Sequence, residues 1–205
     1  MAGNKPSKKK VAFPVSEPLR KYLEKHNRMT VLPIQYEDMT HYIASAPLFN
    51  VKGNDTFWET VYYSEYDQKW IHDSLCEMYA LLKTDGDLQV IDHLTVSRVD
   101  YCIFGNTKPF RVRIINKLND NYDHFYIKKT DASRIYGLEL EELLSPNSVS
   151  YLVEKNTLIE EHIAGLPGDD FIKNNLDTDA FNQIRIAKEF VKFNERCLVQ
   201  LLGDM

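Results

Sequence analysis

The sequence predicts an α+β protein: a helical N-terminal extension, a five-stranded antiparallel sheet with one inserted helix, and a long C-terminal helix. Three observations predict it. Apolar residues recur at helical spacing up to Lys83, the spacing turns to alternation between Leu88 and Lys129, and helical spacing returns over Asp131 to Leu144 and again from about Thr178. With 205 residues, 43% of them hydrophobic, the chain can bury a full core.

Residues 1–15 read as a disordered basic tail, with Lys5, Lys8, Lys9 and Lys10 among small and polar residues. Ser16-Glu17-Pro18 then opens a helix. Ser16 is placed to cap it, Pro18 stands in the first turn where its missing N–H costs nothing, and Leu19, Tyr22 and Leu23 form one apolar face. Tyr36, Met39, Tyr42 and Ile43 predict a second helix reaching Pro47, and Asn50 to Asp55 reads as a turn. The aromatic stretch Phe57, Trp58, Tyr62, Tyr63 and Tyr66 is read as core packing, with a ligand platform as the alternative. Ile71, Leu75, Met78 and Leu82 share one face of a helix from Asp67 to Lys83, closed by Thr84-Asp85-Gly86. The helical extension thus covers residues 16–87.

Leu94 to Phe104, Arg111 to Asn116 and Asp123 to Lys129 alternate as three strands of a meander. The inserted helix follows over Asp131 to Leu144, with Ile135 and Leu138 inward and Glu139, Glu141 and Glu142 clustered, and Ser145-Pro146-Asn147 stops it. Val149 to Val153 and Thr157 to Ile163 complete five strands over residues 88–165. Residues 166–205 begin a further helical region in which Ile184, Ala187, Val191, Leu198 and Leu201 line one face.

Composition narrows the partners. Thirty acidic against 25 basic residues give a net charge of −5, which argues against a general nucleic-acid or anionic-membrane binder. No stretch approaches the ~20 consecutive apolar residues of a membrane span. Cys76, Cys102 and Cys197 are widely separated with no Cys-x-x-Cys pair, so neither a zinc site nor a secreted disulfide framework is expected, and the expected location is the cytoplasm. The six histidines contain no i, i+4 pair, and no Walker loop, Gly-x-Gly-x-x-Gly or Gly-x-Ser-x-Gly elbow is present.

The chemistry with most support is phosphoryl transfer, which requires a backbone-lined loop, a cation over the phosphates, metal-binding carboxylates and a base. The turn at Gly105, Asn106 and Thr107 is the candidate loop, with an ordinary hairpin turn as the alternative. Lys128 at the end of Phe125-Tyr126-Ile127 is the candidate cation, and alternation puts Lys129 on the other face. Glu139 is the first choice of carboxylate to hold Lys128, and Glu142 the second.

Lys128 after an apolar strand, Glu139 on the following helix, Leu158-Ile-Glu-Glu-His-Ile-Ala-Gly165, and Leu201-Leu-Gly-Asp204 after a long helix together resemble the aminoglycoside phosphotransferase and choline kinase group of protein-kinase-like folds. The resemblance covers about Val90 to Met205. It implies that residues 88–165 are a kinase-like N-lobe and that Glu160, Glu161, His162 and Ile163 frame adenine through their backbone. It implies also that Asp204 is the catalytic base and that ATP with magnesium is the cofactor. The group's catalytic loop reads His-Gly-Asp-x-x-x-x-Asn; Leu202 replaces the histidine, and the asparagine and the metal-binding aspartate would lie past Met205. The expectation is an N-terminal fragment, inactive alone, that associates with itself through its terminal helix. Its acceptor, a small molecule or a protein, is not visible in these residues. A non-catalytic interaction module, binding a protein through its sheet and the segment from Phe57 to Tyr66, is the alternative reading.

Overall fold

The computed structural model describes residues 11–83, 88–104, 107–145, 148–166, 168–174 and 182–199. These hold seven strands and six α-helices. The strands are β1 (Ala44–Phe49), β2 (Asp55–Tyr62), β3 (Leu94–Cys102), β4 (Phe110–Asn116), β5 (Tyr122–Lys129), β6 (Tyr151–Glu154) and β7 (Thr157–Glu161). The helices are α1 (Glu17–Lys25), α2 (Tyr36–Met39), α3 (Glu65–Lys83), α4 (Ala132–Leu144), α5 (Gly168–Asn174) and α6 (Gln183–Val199), and a 3-10 helix covers Leu88–His93.

All seven strands form one antiparallel sheet in the order β1-β2-β3-β4-β5-β7-β6. The meander and the inserted helix stand where the alternation puts them, and β7 returns between β5 and β6. The count is a correction: the sheet has seven strands, not five, because the supposedly helical extension supplies β1 and β2. Its second helix stops at Met39, and Ala44–Phe49 pairs with β2 instead. Pro47 fits there because β1 is an edge strand, where proline is tolerated. The aromatic stretch is β2 and the start of α3. The strands β1 and β2 of this region and the later strands therefore share one sheet.

The first tail residues lie outside the described part, but those nearest α1 are held. The Phe13 N–H donates to Asp131 Oδ1 at 3.2 Å, and the Phe13 carbonyl accepts from the Ala132 N–H at 2.9 Å. Ser16 caps α1 as its position suggests, and Leu19 and Leu23 are buried. The segment after α1 runs beside β6: Met29 bridges Val153, and the Leu32 N–H and Gln35 Nε2 donate to Glu154 Oε2 at 2.8 and 2.6 Å. Thr157 Oγ1 donates to Gln35 Oε1 and accepts from the Tyr36 N–H, both at 2.9 Å.

Alternation divides the sheet into two unlike faces. One carries Val96, Val99, Phe110, Val112, Ile114, Phe125, Ile127 and Ile159, and it forms the core with Ile71, Leu75, Met78 and Leu82 of α3. The other presents charged and aromatic side chains. The chain divides into two compact units: residues 1–136 with 149–162, which contain the sheet, and residues 137–148 with 163–205, which contain α5 and α6. In the second unit Ile184, Val191 and Leu198 of α6 are exposed, and Arg196 donates to Ser145 Oγ at 3.3 Å. No helix among the described residues is long and apolar enough to cross a membrane.

Phe125 is fully buried and its ring centroid lies 6.1 Å from that of Tyr79 on α3. Phe125→Ala is expected to cost about 3–5 kcal/mol of stability by emptying this contact between sheet and helix, read as a lower urea midpoint at an unchanged slope.

Candidate functional site

The polar face is organised by register. Thr60 of β2, Asp100 of β3, Arg111 of β4, Tyr126 of β5 and Glu160 of β7 are successive partners across five strands, so their side chains stand in one row. Two of them are buried carboxylates: Asp100 is 1% exposed and Glu160 is 2% exposed. A carboxylate taken from water needs cations and donors around it. Asp100 has Arg98 Nε at 3.0 Å, Arg111 at 2.8 Å and the Thr60 hydroxyl at 2.9 Å. The Arg111 guanidinium also lies 4.5 Å over the Trp58 ring.

Glu160 is the carboxylate that meets Lys128, with Nζ against Oε1, while Arg134 from the first turn of α4 reaches Oε2 at 2.8 Å. This corrects the choice of Glu139. Lys128 lies opposite Leu158, which puts Glu160 two residues along the neighbouring strand and on the same face, the shortest route to a carboxylate in a sheet. Glu139 is buried on the part of α4 that belongs to the second unit, and Glu142 is exposed. Lys129 is exposed, on the other face, with its ammonium 5.3 Å from the Tyr36 ring.

The other expected site residues fall in different places. Glu161 points to the α3 face, where it pairs with Lys83 at 2.7 Å. His162 Nδ1 lies 3.1 Å from the Tyr126 hydroxyl, and Ile163 is exposed. The Glu161 N–H donates to the Ser150 carbonyl at 3.0 Å and the His162 N–H to the His124 carbonyl at 3.3 Å, so those two amides are engaged within the sheet. Thr107 is half-buried in the β3–β4 connection, where the Lys108 carbonyl accepts from the Tyr36 hydroxyl at 2.8 Å. Gly105, Asn106 and Asp204 lie outside the described residues. Among the described residues no group of three or more His, Cys, Asp or Glu side chains comes together that could hold a metal ion.

Sequence reading missed Arg134, Asp100, Arg98 and Arg111. Their signal was present as Arg98-x-Asp100 and Arg111-x-Arg113, pairs two apart that must share a sheet face. Only the register joins them into one polar surface.

Lys128, Glu160 and Arg134 are two cations on one buried carboxylate. Burial, and after it the Arg134 guanidinium, push the Lys128 ammonium down to about 7. Arg134 keeps its charge and already neutralises Glu160, so Lys128 is the member that sheds a proton. No family model matches the chain, and no curated protein or solved structure does.

An unfolded chain keeps a lysine protonated up to about 10.4, whereas folded Lys128 releases its proton near 7. Between those values the unfolded state binds the extra proton, so stability rises with pH across that window and the gain is lost as pH falls through 7. Lys128→Met is expected to flatten this rise in urea denaturation compared at pH about 7 and about 9. Equal slopes in the two proteins would assign the titration to another group.

Proposed function

We propose that this chain binds ATP and serves an ATP-dependent phosphotransferase of kinase-like fold. The observation that carries this reading is Lys128 on β5, held by the buried Glu160 of β7, with Arg134 of α4 on the same carboxylate. A lysine steadied on a strand by a carboxylate is a compact positive charge on a long stem, suited to the oxygens of a triphosphate. The order of strand lysine, helix and returning strand supports the reading as well, because it matches the order in the family that the sequence resembles.

In this reading the phosphates draw a proton onto Lys128, while Glu160 keeps the ammonium in place and Arg134 holds Glu160 from its other oxygen. Lys129 takes no part, since it stands on the other face. Magnesium would further neutralise the triphosphate when bound. The described residues contain no group that fits it, and the neutralisation assigned to this chain is that of Lys128 and Arg134.

A second reading, a non-catalytic interaction module, is favoured by one observation. Tyr66 is 92% exposed, and the exposed Phe57 stacks on Phe104 with ring centroids 5.2 Å apart. Apolar surface of this kind suits a protein partner.

ATP at a hundredfold excess over its Kd is expected to stabilise the chain by about 2.7 kcal/mol, seen as a higher melting temperature. Lys128→Ala is expected to remove this effect. Because binding takes up a proton at Lys128, affinity should fall as pH rises above about 7. Melting that ATP leaves unmoved, with capture of a protein partner unaffected by Lys128→Ala, would replace the nucleotide reading by the interaction module.

A further inference from the structure

A second row crosses the polar face beside the first, two residues further along each strand. Arg98 of β3 is the register partner of Arg113 of β4, and Arg113 is the partner of His124 of β5. His162, just past β7, donates its N–H to the His124 carbonyl, and the two rings have centroids 5.5 Å apart. The row is Arg98, Arg113, His124, His162. It contains no carboxylate.

Like charges directly opposite on one sheet face are destabilising, and this pairing is not the one a regular ladder would give. Val96 is partnered with Ile114, which would put Ser97 opposite Arg113; a bulge between Val96 and Arg98 brings Arg98 there instead. Bulges re-aim side chains, and they persist where that placement serves the protein. Asp100, two residues from Arg98 on β3, is already taken by Arg98, Arg111 and Thr60. Arg98 and Arg111 therefore share one carboxylate and Arg113 has no ion pair to it, in a chain whose net charge is −5.

Arg113 is the least satisfied of the three. Its guanidinium lies 3.9 Å over the Tyr122 ring, and its Nε is buried with no hydrogen-bond partner among the described residues. Burial, then Arg111, His162, Arg113 and Arg98, push the His124 imidazole down to about 4, so it stands neutral beside Arg113. Such a row lacks an anion.

We propose that Arg98, Arg113, His124 and His162 form a binding site for a phosphate dianion, separate from the Lys128 group. Two guanidinium planes can grip phosphate oxygens in paired hydrogen bonds, and a dianion balances two arginines where a carboxylate would leave excess charge. His124 and Lys128 are four residues apart on β5, roughly 13 Å at the rise of a strand, so one phosphate cannot serve both. The site does not depend on the nucleotide reading.

The test uses the full 205-residue chain with labelled histidines, following the ring resonances of His124 and His162 by NMR at constant ionic strength. Inorganic phosphate, glycerol phosphate and acetate are titrated separately. Phosphate or its monoester is expected to shift both rings saturably, and acetate is not. A response to inorganic phosphate alone marks free phosphate as the ligand, and a response to glycerol phosphate marks a phosphate monoester. Arg113→Met should weaken the response about tenfold or more, and Lys128→Met should preserve it, whereas an ATP effect on melting would show the reverse dependence. Arg113→Met relieves a like-charge contact, so without phosphate it is expected to melt no lower than the parent chain. If it does not fold, Arg98→Gln carries the same comparison. No ring response, equal responses to acetate and phosphate, a response untouched by the arginine substitution, or one lost in Lys128→Met would each overturn the proposal.

Discussion

The polar face of the sheet depends on two carboxylates that have left water. Asp100 and Glu160 are nearly inaccessible, and each is tolerable only because cations and donors converge on it, from its own and neighbouring strands for Asp100 and from a neighbouring strand and a helix for Glu160. Removing one partner of such a group leaves a buried charge uncompensated, so the positions of Arg98, Arg111, Lys128 and Arg134 are tightly constrained. The carboxylates in effect fix the cations. What remains of the positive charge after they are satisfied is what the face can offer to a ligand.

The opposite face explains how a sheet can hold this arrangement. Phe110, Val112, Ile114, Phe125, Ile127 and Ile159 alternate with the polar residues along the same strands and pack into the core with α3. A slip of one residue would exchange the two faces and bury the arginines in the core, so the apolar core enforces the register on which the polar rows depend. Stability and the candidate chemistry thus share one constraint. The bulge between Val96 and Arg98 offsets the β3–β4 pairing by one residue, so that Arg98 meets Arg113 and, beyond it, Val99 meets Val112 and Asp100 meets Arg111.

Local signals carried much of the fold. The capped start of α1, the face of α3, the meander of β3, β4 and β5 and the position of α4 were legible because each rests on periodicity or a cap within a few residues. The strands β1 and β2 were not. Tyr36, Met39, Tyr42 and Ile43 fit helical spacing, and only pairing with β2, itself paired with β3, turns the following residues into an edge strand. Lys128 was legible as the strand cation, whereas its carboxylate was sought on the helix and stands on the neighbouring strand.

Alternation in the sequence determined that Lys128 and Lys129 lie on opposite faces, that Arg98 and Asp100 share a face, and that Arg111 and Arg113 share one. The residue types determined that this chain carries lysine and arginine on its strands without being basic overall. Tertiary structure alone decided which of these pairs stand side by side. Register is set by side chains far apart in sequence packing into one core, so neither the choice of Glu160 over Glu139 for Lys128 nor the meeting of Arg98 with Arg113 is present in any local stretch.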